Sequence, residues 1–263
     1  MSDLSKGSAS LIFLHGWGQS RRVFNPLINA LNDRGVTSFA LDFPGHGDAR
    51  EEPGPYSFDR YASLIGDFAK SAGASRFHLA GWSMGGTIAA IHCLERREPR
   101  PLSLILIAST PRFVALGNNI GVGQHPTAVE KMERMISADH DAGLRDFIGR
   151  FFESGEVITE EMKADIENLL IPESFPPNKD AILSTLKELA ALDLTVSGHK
   201  WDGPVLNIQG TADKITLKGG QRLWRGLFDN ITEAPMESAG HAPHLTQTDG
   251  VAEIIAGFIG SLE

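Results

Sequence analysis

The chain has a single cysteine, Cys93, so no internal disulfide can form, and the residue falls in an apolar helical stretch where a thiol packs as a small hydrophobe. That usage fits a reducing compartment. Positive charge is also short: 24 Lys and Arg against 33 Asp and Glu give a formal net charge of −9, which argues against a general affinity for nucleic acid or anionic membranes. No apolar run approaches the ~20 residues of a membrane span, and Met1 to Lys6 lacks the basic-then-apolar pattern of a leader. A cytoplasmic, monomeric protein with no nucleic-acid or membrane partner is therefore expected. Repeats, low-complexity tracts and flexible linkers are absent as well, so the 263 residues are expected to share one large core.

Strand and helix patterns alternate at the start of the chain. Strands are predicted over 9–14, 37–41, 76–80 and 102–108, with helices over 23–32, 58–71 and 87–96 between them, which implies a parallel sheet covered on both faces. From 111 to 200 no strand pattern occurs, and amphipathic stretches at 127–137, 142–153, 160–170 and 179–192 predict a helical insertion. Strands at 204–208 and 231–236 and helices at 218–228 and 250–259 complete a core of 1–110 plus 201–263. Phe113, Phe147, Phe151, Phe152 and Phe175 of the insertion, with Met132 and Met135, read mostly as packing between helices. Part of this stripe should still overhang the open end of the sheet, where α/β proteins bind ligands.

The chemistry centres on Gly81-Trp82-Ser83-Met84-Gly85-Gly86, between an apolar strand and an apolar helix. A sharp strand-to-helix turn crowds the backbone, so the residues two before and two after the serine must be small, and both are glycine. A serine hydroxyl needs a base, and the base needs a third group to fix its tautomer. His241 follows the last strand and comes straight after Gly240; His244 is its close rival. Asp213, in Gly210-Thr211-Ala212-Asp213, lies just past the strand at 204–208 and is the candidate acid. The developing oxyanion needs two N–H donors, assigned to the backbones of Trp17, in His15-Gly16-Trp17-Gly18, and Met84. His46, in Pro44-Gly45-His46-Gly47, reads as structural. No metal or organic cofactor is needed.

Together His-Gly, Pro-Gly-His-Gly, Gly-X-Ser-X-Gly, Gly-X-X-Asp and Gly-His make the chain resemble the α/β-hydrolase superfamily over nearly its whole length. Within it, His15 to Gly18, Gly81 to Gly86, Ile107 to Phe113 and Gly240 to Pro243 resemble the BioH group, the pimeloyl-acyl-carrier-protein methyl ester esterases of biotin synthesis. The resemblance implies an α/β-hydrolase fold with a mostly parallel sheet and a helical lid over 111–200. It also implies a Ser83, Asp213 and His241 triad, Trp82 in the pocket wall, and a lid that receives an acyl carrier protein. Two departures stand out. Only about ten residues precede the first strand, so a shortened N-terminal edge is expected, and Asp48 replaces a common serine as a surface variation.

The expected activity is carboxylic ester hydrolysis through an acyl-enzyme. The same motifs would serve a broad small-ester or thioester hydrolase, a lyase of the menaquinone-pathway type, or a ligand receptor on the same scaffold. An acidic carrier protein meeting an acidic chain needs local cations. Phe147 and Phe151 share a helix face over the acyl chain, alongside Trp17 and Trp82, and Arg134, Arg145 and Arg150 are candidates for the docking rim.

Overall fold

Six strands form one parallel sheet: β1 (Ser10–Leu14), β2 (Ser38–Leu41), β3 (Phe77–Trp82), β4 (Leu104–Ile107), β5 (Val205–Gly210) and β6 (Ile231–Met236), in the order β2-β1-β3-β4-β5-β6. This computed structural model describes residues 9–117, 121–152, 156, 158–170 and 176–263, excepting the Phe152 side chain. β1, β3 and β4 are near-continuous apolar runs because helices cover both faces, whereas Asn207 and Gln209 interrupt the apolar run of β5. Among the described residues the sheet contains no antiparallel strand.

The helices are α1 (Asn25–Asn32), α2 (Phe58–Ser71), α3 (Met84–Leu94), α4 (Pro126–Ala138), α5 (His140–Gly149), α6 (Glu160–Leu170), α7 (Lys179–Ala191), α8 (Lys218–Gln221), α9 (Pro243–Thr246) and α10 (Thr248–Gly260). α1 packs with α10 and α2 with α3. All of α3 is buried, so its Ile88, Ala89 and Ala90 serve the core on every side. α2 instead buries one stripe, Phe58, Tyr61, Ala62, Ile65 and Ala69, and begins at Ser57, whose hydroxyl accepts from the Arg60 N–H. Between β4 and β5, α4 packs on α5 and α7. α7 is tied to the sheet's loops: the Trp17 indole donates to Ile182 O at 3.1 Å and the Asn178 N–H to Gly45 O at 2.7 Å.

Several boundaries differ from expectation for identifiable reasons. β3 runs to Trp82 rather than 80, since Gly81 and Trp82 pair with Leu106 and Ile107, and α3 starts at Met84 rather than 87. Glycine's poor helix propensity is overridden at Gly85 and Gly86 by tertiary packing. The helix expected over 218–228 is only one turn of α8 followed by a 3₁₀ segment, Arg222–Gly226, and glycines at 219, 220 and 226 weaken it. The 142–153 stretch likewise divides into α5 and a 3₁₀ turn, Arg150–Phe152, just after Gly149.

The strand order reverses between β1 and β3, because the chain steps outward from β1 to β2 and then returns to the far side of β1. Loops leaving the carboxyl ends of β1 and β3 therefore diverge around a crevice, the usual ligand position in such sheets. α3 leaves this point in very close contact with β1. A Cβ on Gly85 would lie 2.1 Å from Leu14 O and 2.6 Å from His15 O. Gly85→Ala is expected to destabilise the fold by at least about 1–3 kcal/mol, as overpacking does, read as a lowered urea midpoint. An unchanged midpoint would contradict this packing.

Candidate active site

Ser83 occupies the turn between β3 and α3 with φ 53° and ψ −119°, a left-handed φ that is strained for a residue with a side chain. The surroundings hold it there. Its N–H donates to Ile107 O at 2.9 Å, and its carbonyl accepts from Ser109 Oγ at 2.9 Å and from the Gly86 N–H at 3.0 Å. A Cβ on Gly81 would meet the Gly85 carbonyl at 2.3 Å, so no larger residue fits the turn.

His241, 1% exposed in the loop after β6, places Nε2 3.1 Å from Ser83 Oγ and Nδ1 2.9 Å from Asp213 Oδ2. A carboxylate only accepts, so Nδ1 carries the ring proton and the Nε2 lone pair faces the serine hydroxyl. Asp213 sits in the turn after β5. Its Oδ1 accepts from the N–H groups of Ile215 (2.7 Å) and Thr216 (3.0 Å), and its Oδ2 from Thr216 Oγ1 (2.6 Å) and Gln209 Nε2 (3.1 Å). Burial alone would raise the Asp213 carboxyl, but His241 and these hydrogen bonds outweigh it and hold it below the usual carboxylate range.

Met84 N–H opens α3 and so has no partner within the helix. Among the described residues nothing accepts from the Trp17 N–H either, and the Gly16 and Gly18 neighbours bring that loop close to Trp82 and Leu144. Trp17, Met84, Phe113, Met132 and Phe147 enclose a cavity of about 10 Å³ at Ser83, room for roughly one water. A second cavity of about 20 Å³ shares Phe113, Met132, Phe147 and Ile215 with the first and reaches Arg150. Met132 and Phe147 thus stand in the wall common to both.

A family model described as an alpha/beta hydrolase family matches residues 11–254. The chain belongs to the α/β-hydrolase family. This α/β-hydrolase is 28% identical over 260 residues to a pimeloyl-[acyl-carrier protein] methyl ester esterase of Stenotrophomonas maltophilia K279a, covering 99% of this chain and 96% of the relative. A relative of the same name from Aeromonas hydrophila is 28% identical over 257 residues, 95% of each. Among solved structures, an esterase from Exiguobacterium antarcticum superposes with a TM-score of 0.85 at 21% identity, over 97% of this chain and 92% of that one, and so shares its fold.

Other residues of this α/β-hydrolase fall differently from expectation. Trp82 and Phe151 do not line the cavity at Ser83; they lie against His241, with ring centroids 5.6 and 5.0 Å away, and the Trp82 indole donates to His241 O at 2.8 Å. Strand alternation explains Trp82, because the residue before an outward serine points inward, while Phe151 lies in the 3₁₀ turn that ends α5. Asp48 is more than a surface variation: it pairs with Arg21 and Arg22, and its N–H donates to Asp42 Oδ2 at 2.9 Å, tying the loop after β2 to the turn after β1. Arg134 and Arg145 are exposed, whereas Arg150 is half-buried and bound to Asp146 at 2.7 Å. Phe175 and the Phe152 side chain lie outside the described residues. Thr216 and Gln209 went unassigned in the sequence, although Thr216, three past Asp213, carries a turn signal. Among the described residues no helix is long and apolar enough to cross a membrane.

His46 is fully buried with Nδ1 3.2 Å from Pro44 O. His244 is also fully buried, with both ring nitrogens unpartnered among the described residues and its ring 4.6 Å from that of Trp82. Burial pushes His244 and His46 down to about 3 and His15 to about 4. The unfolded chain therefore takes up protons below pH ~6.5 that the folded chain refuses. Stability from these groups is complete above that pH and is lost on acidification toward pH 4 and 3. Each contributes a slope of about 1.4 kcal/mol per pH unit in that window. His244→Phe is expected to remove one such slope, measured by urea unfolding at pH 6.5 and 5; an unaltered pH dependence would contradict a neutral buried His244.

Proposed function

We propose that the chain hydrolyses carboxylic esters through an acyl-enzyme on Ser83, and that its substrate is the methyl ester of a pimeloyl-acyl carrier protein. The single observation carrying this reading is the hydrogen-bonded series Ser83 Oγ, His241, Asp213 at the carboxyl end of the sheet. The relatives' printed activity supports the choice of ester.

In this reading His241 Nε2 takes the Ser83 proton as Oγ attacks the ester carbonyl carbon. The oxyanion forms against the N–H groups of Trp17 and Met84, and the collapsing intermediate expels the alkoxide as methanol with the proton returned by His241. Water then attacks the acyl-enzyme with His241 again as base, releasing the acid and restoring Ser83. Asp213 stays ionised throughout and stabilises the imidazolium that forms twice per cycle. Trp82 is a positioning residue, anchoring the His241 backbone.

Residues 111–200 act as the lid on the core of 1–110 and 201–263. The ~10 Å³ at Ser83 is far below the ~300 Å³ of ordinary ligand pockets, so an acyl chain enters only when Met132 and Phe147 turn aside and the two cavities merge. Phe151 backs Phe147, with ring centroids 5.1 Å apart. An acidic carrier protein would dock at Arg145, Arg150 and Arg134, a reading supported by the second cavity's reach to Arg150, with the Arg150–Asp146 pair exchanged on binding.

Methanol release from the carrier-bound methyl ester tests the reading. Wild type should turn over steadily, Ser83→Ala not at all, and His241→Ala at a rate lower by about 10⁴-fold or more. A single burst without turnover would mark a receptor. Arg145→Glu with Arg150→Glu should lower kcat/KM for the carrier ester about tenfold at low salt while sparing small p-nitrophenyl esters. Equal losses on both substrates would contradict docking there.

A further inference from the structure

A separate cleft of about 320 Å³ opens at the β5–β6 edge, between the sheet and the α8 segment. Its floor comes from alternate positions of the two strands, Asn207 and Gln209 of β5 and Glu233 of β6, with Glu237 just beyond; Asn207 pairs with Glu233 in the register. The covered face of a parallel strand is ordinarily apolar. Here Asn207 is 4% and Gln209 8% exposed, and neither Asn207 Oδ1 nor Gln209 Oε1 has a hydrogen-bond partner among the described residues.

The orientation of Gln209 is fixed by chemistry. Its Nε2 donates to the Asp213 carboxylate, which cannot donate in return, so Oε1 is left as an acceptor with nothing to accept from. The opposite wall carries Gln221 and the cations Lys218, Arg222 and Arg225. Lys218 and Arg222 form no ion pair with any described residue, while Arg225 grips Glu233 through two contacts of 2.6 Å. One side of the cleft therefore offers acceptors and carboxylates, and the other offers donors carrying positive charge.

We propose that this cleft binds a small zwitterion of the α-amino-acid class. An ammonium has three donors and no acceptor, which suits the Glu237 carboxylate and, with the two buried amides turned toward the cleft, Asn207 Oδ1 and Gln209 Oε1. A carboxylate suits the unpaired Lys218 and the planar fork of Arg222. A plain anion would face Glu237, and a plain cation would face Lys218 and Arg222, so neither satisfies both walls. The volume lies at the small end of ligand pockets and fits an amino acid better than a coenzyme.

The test is an NMR titration of the full ¹⁵N-labelled chain with L-alanine, and with glycine betaine, whose nitrogen carries no N–H. L-alanine should give saturable shifts at the amides of 207–211, 218–225 and 233–237 with an apparent Kd on the order of 1 mM. Betaine should bind at least tenfold more weakly. Asn207→Leu and the exposed Arg222→Ala should each weaken L-alanine tenfold or more while small-ester turnover, which neither residue touches, persists. Absence of saturable shifts, equal binding of betaine, or unchanged affinity in a folded Arg222→Ala variant would overturn the proposal, leaving a cleft that holds water only.

Discussion

The structure depends on how closely the start of α3 approaches the end of β1. Gly85 lies against the carbonyls of Leu14 and His15, Gly81 against Gly85, and Gly86 against the Ser109 side chain, so four segments converge where no Cβ fits. That contact forces Ser83 into a left-handed φ and leaves its hydroxyl at the crevice made by the reversal of strand order. It also brings the Met84 N–H and the Trp17 loop to the same place. The proposed nucleophile and oxyanion donors thus follow from one steric constraint.

Electrostatics complete the arrangement. Asp213 is 8% exposed, yet its oxygens receive four hydrogen bonds besides the one from His241. A buried carboxylate satisfied in this way stays charged and holds His241 in a single tautomer. Three other buried histidines, His15, His46 and His244, have no carboxylate hydrogen-bond partner of this kind among the described residues and are held neutral by burial. Burial is common to these four; in the proposed mechanism the carboxylate partner separates the base from core packing.

Much of this was legible in the chain itself. α2, α6 and β6 lie where the periodicity puts them, and the Ser83, Asp213 and His241 loops each leave the carboxyl end of a strand, which makes their meeting a consequence of parallel topology. Trp82 and Phe151 were harder to place, since facing a cavity or backing a histidine depends on where β3 ends and how α5 terminates. Asp48 and its arginine partners lie 26 and 27 residues apart in sequence, beyond any local pattern. The polar floor at Asn207 and Gln209 does show in Val205-Leu206-Asn207-Ile208-Gln209 as polar residues alternating within an apolar strand, a signal that the strand's position next to the edge makes intelligible.

The most direct measurement of the central claim is covalent. A serine-directed alkyl p-nitrophenyl phosphonate should add one phosphonyl group per chain, mapped by peptide mass spectrometry to Ser83. Its rate should fall by orders of magnitude in His241→Ala, because the imidazole is the group that takes the serine proton. Labelling of another residue, or labelling of Ser83 at a rate unaffected by His241→Ala, would contradict an account in which the turn after β3 and the loop after β6 together make the nucleophile.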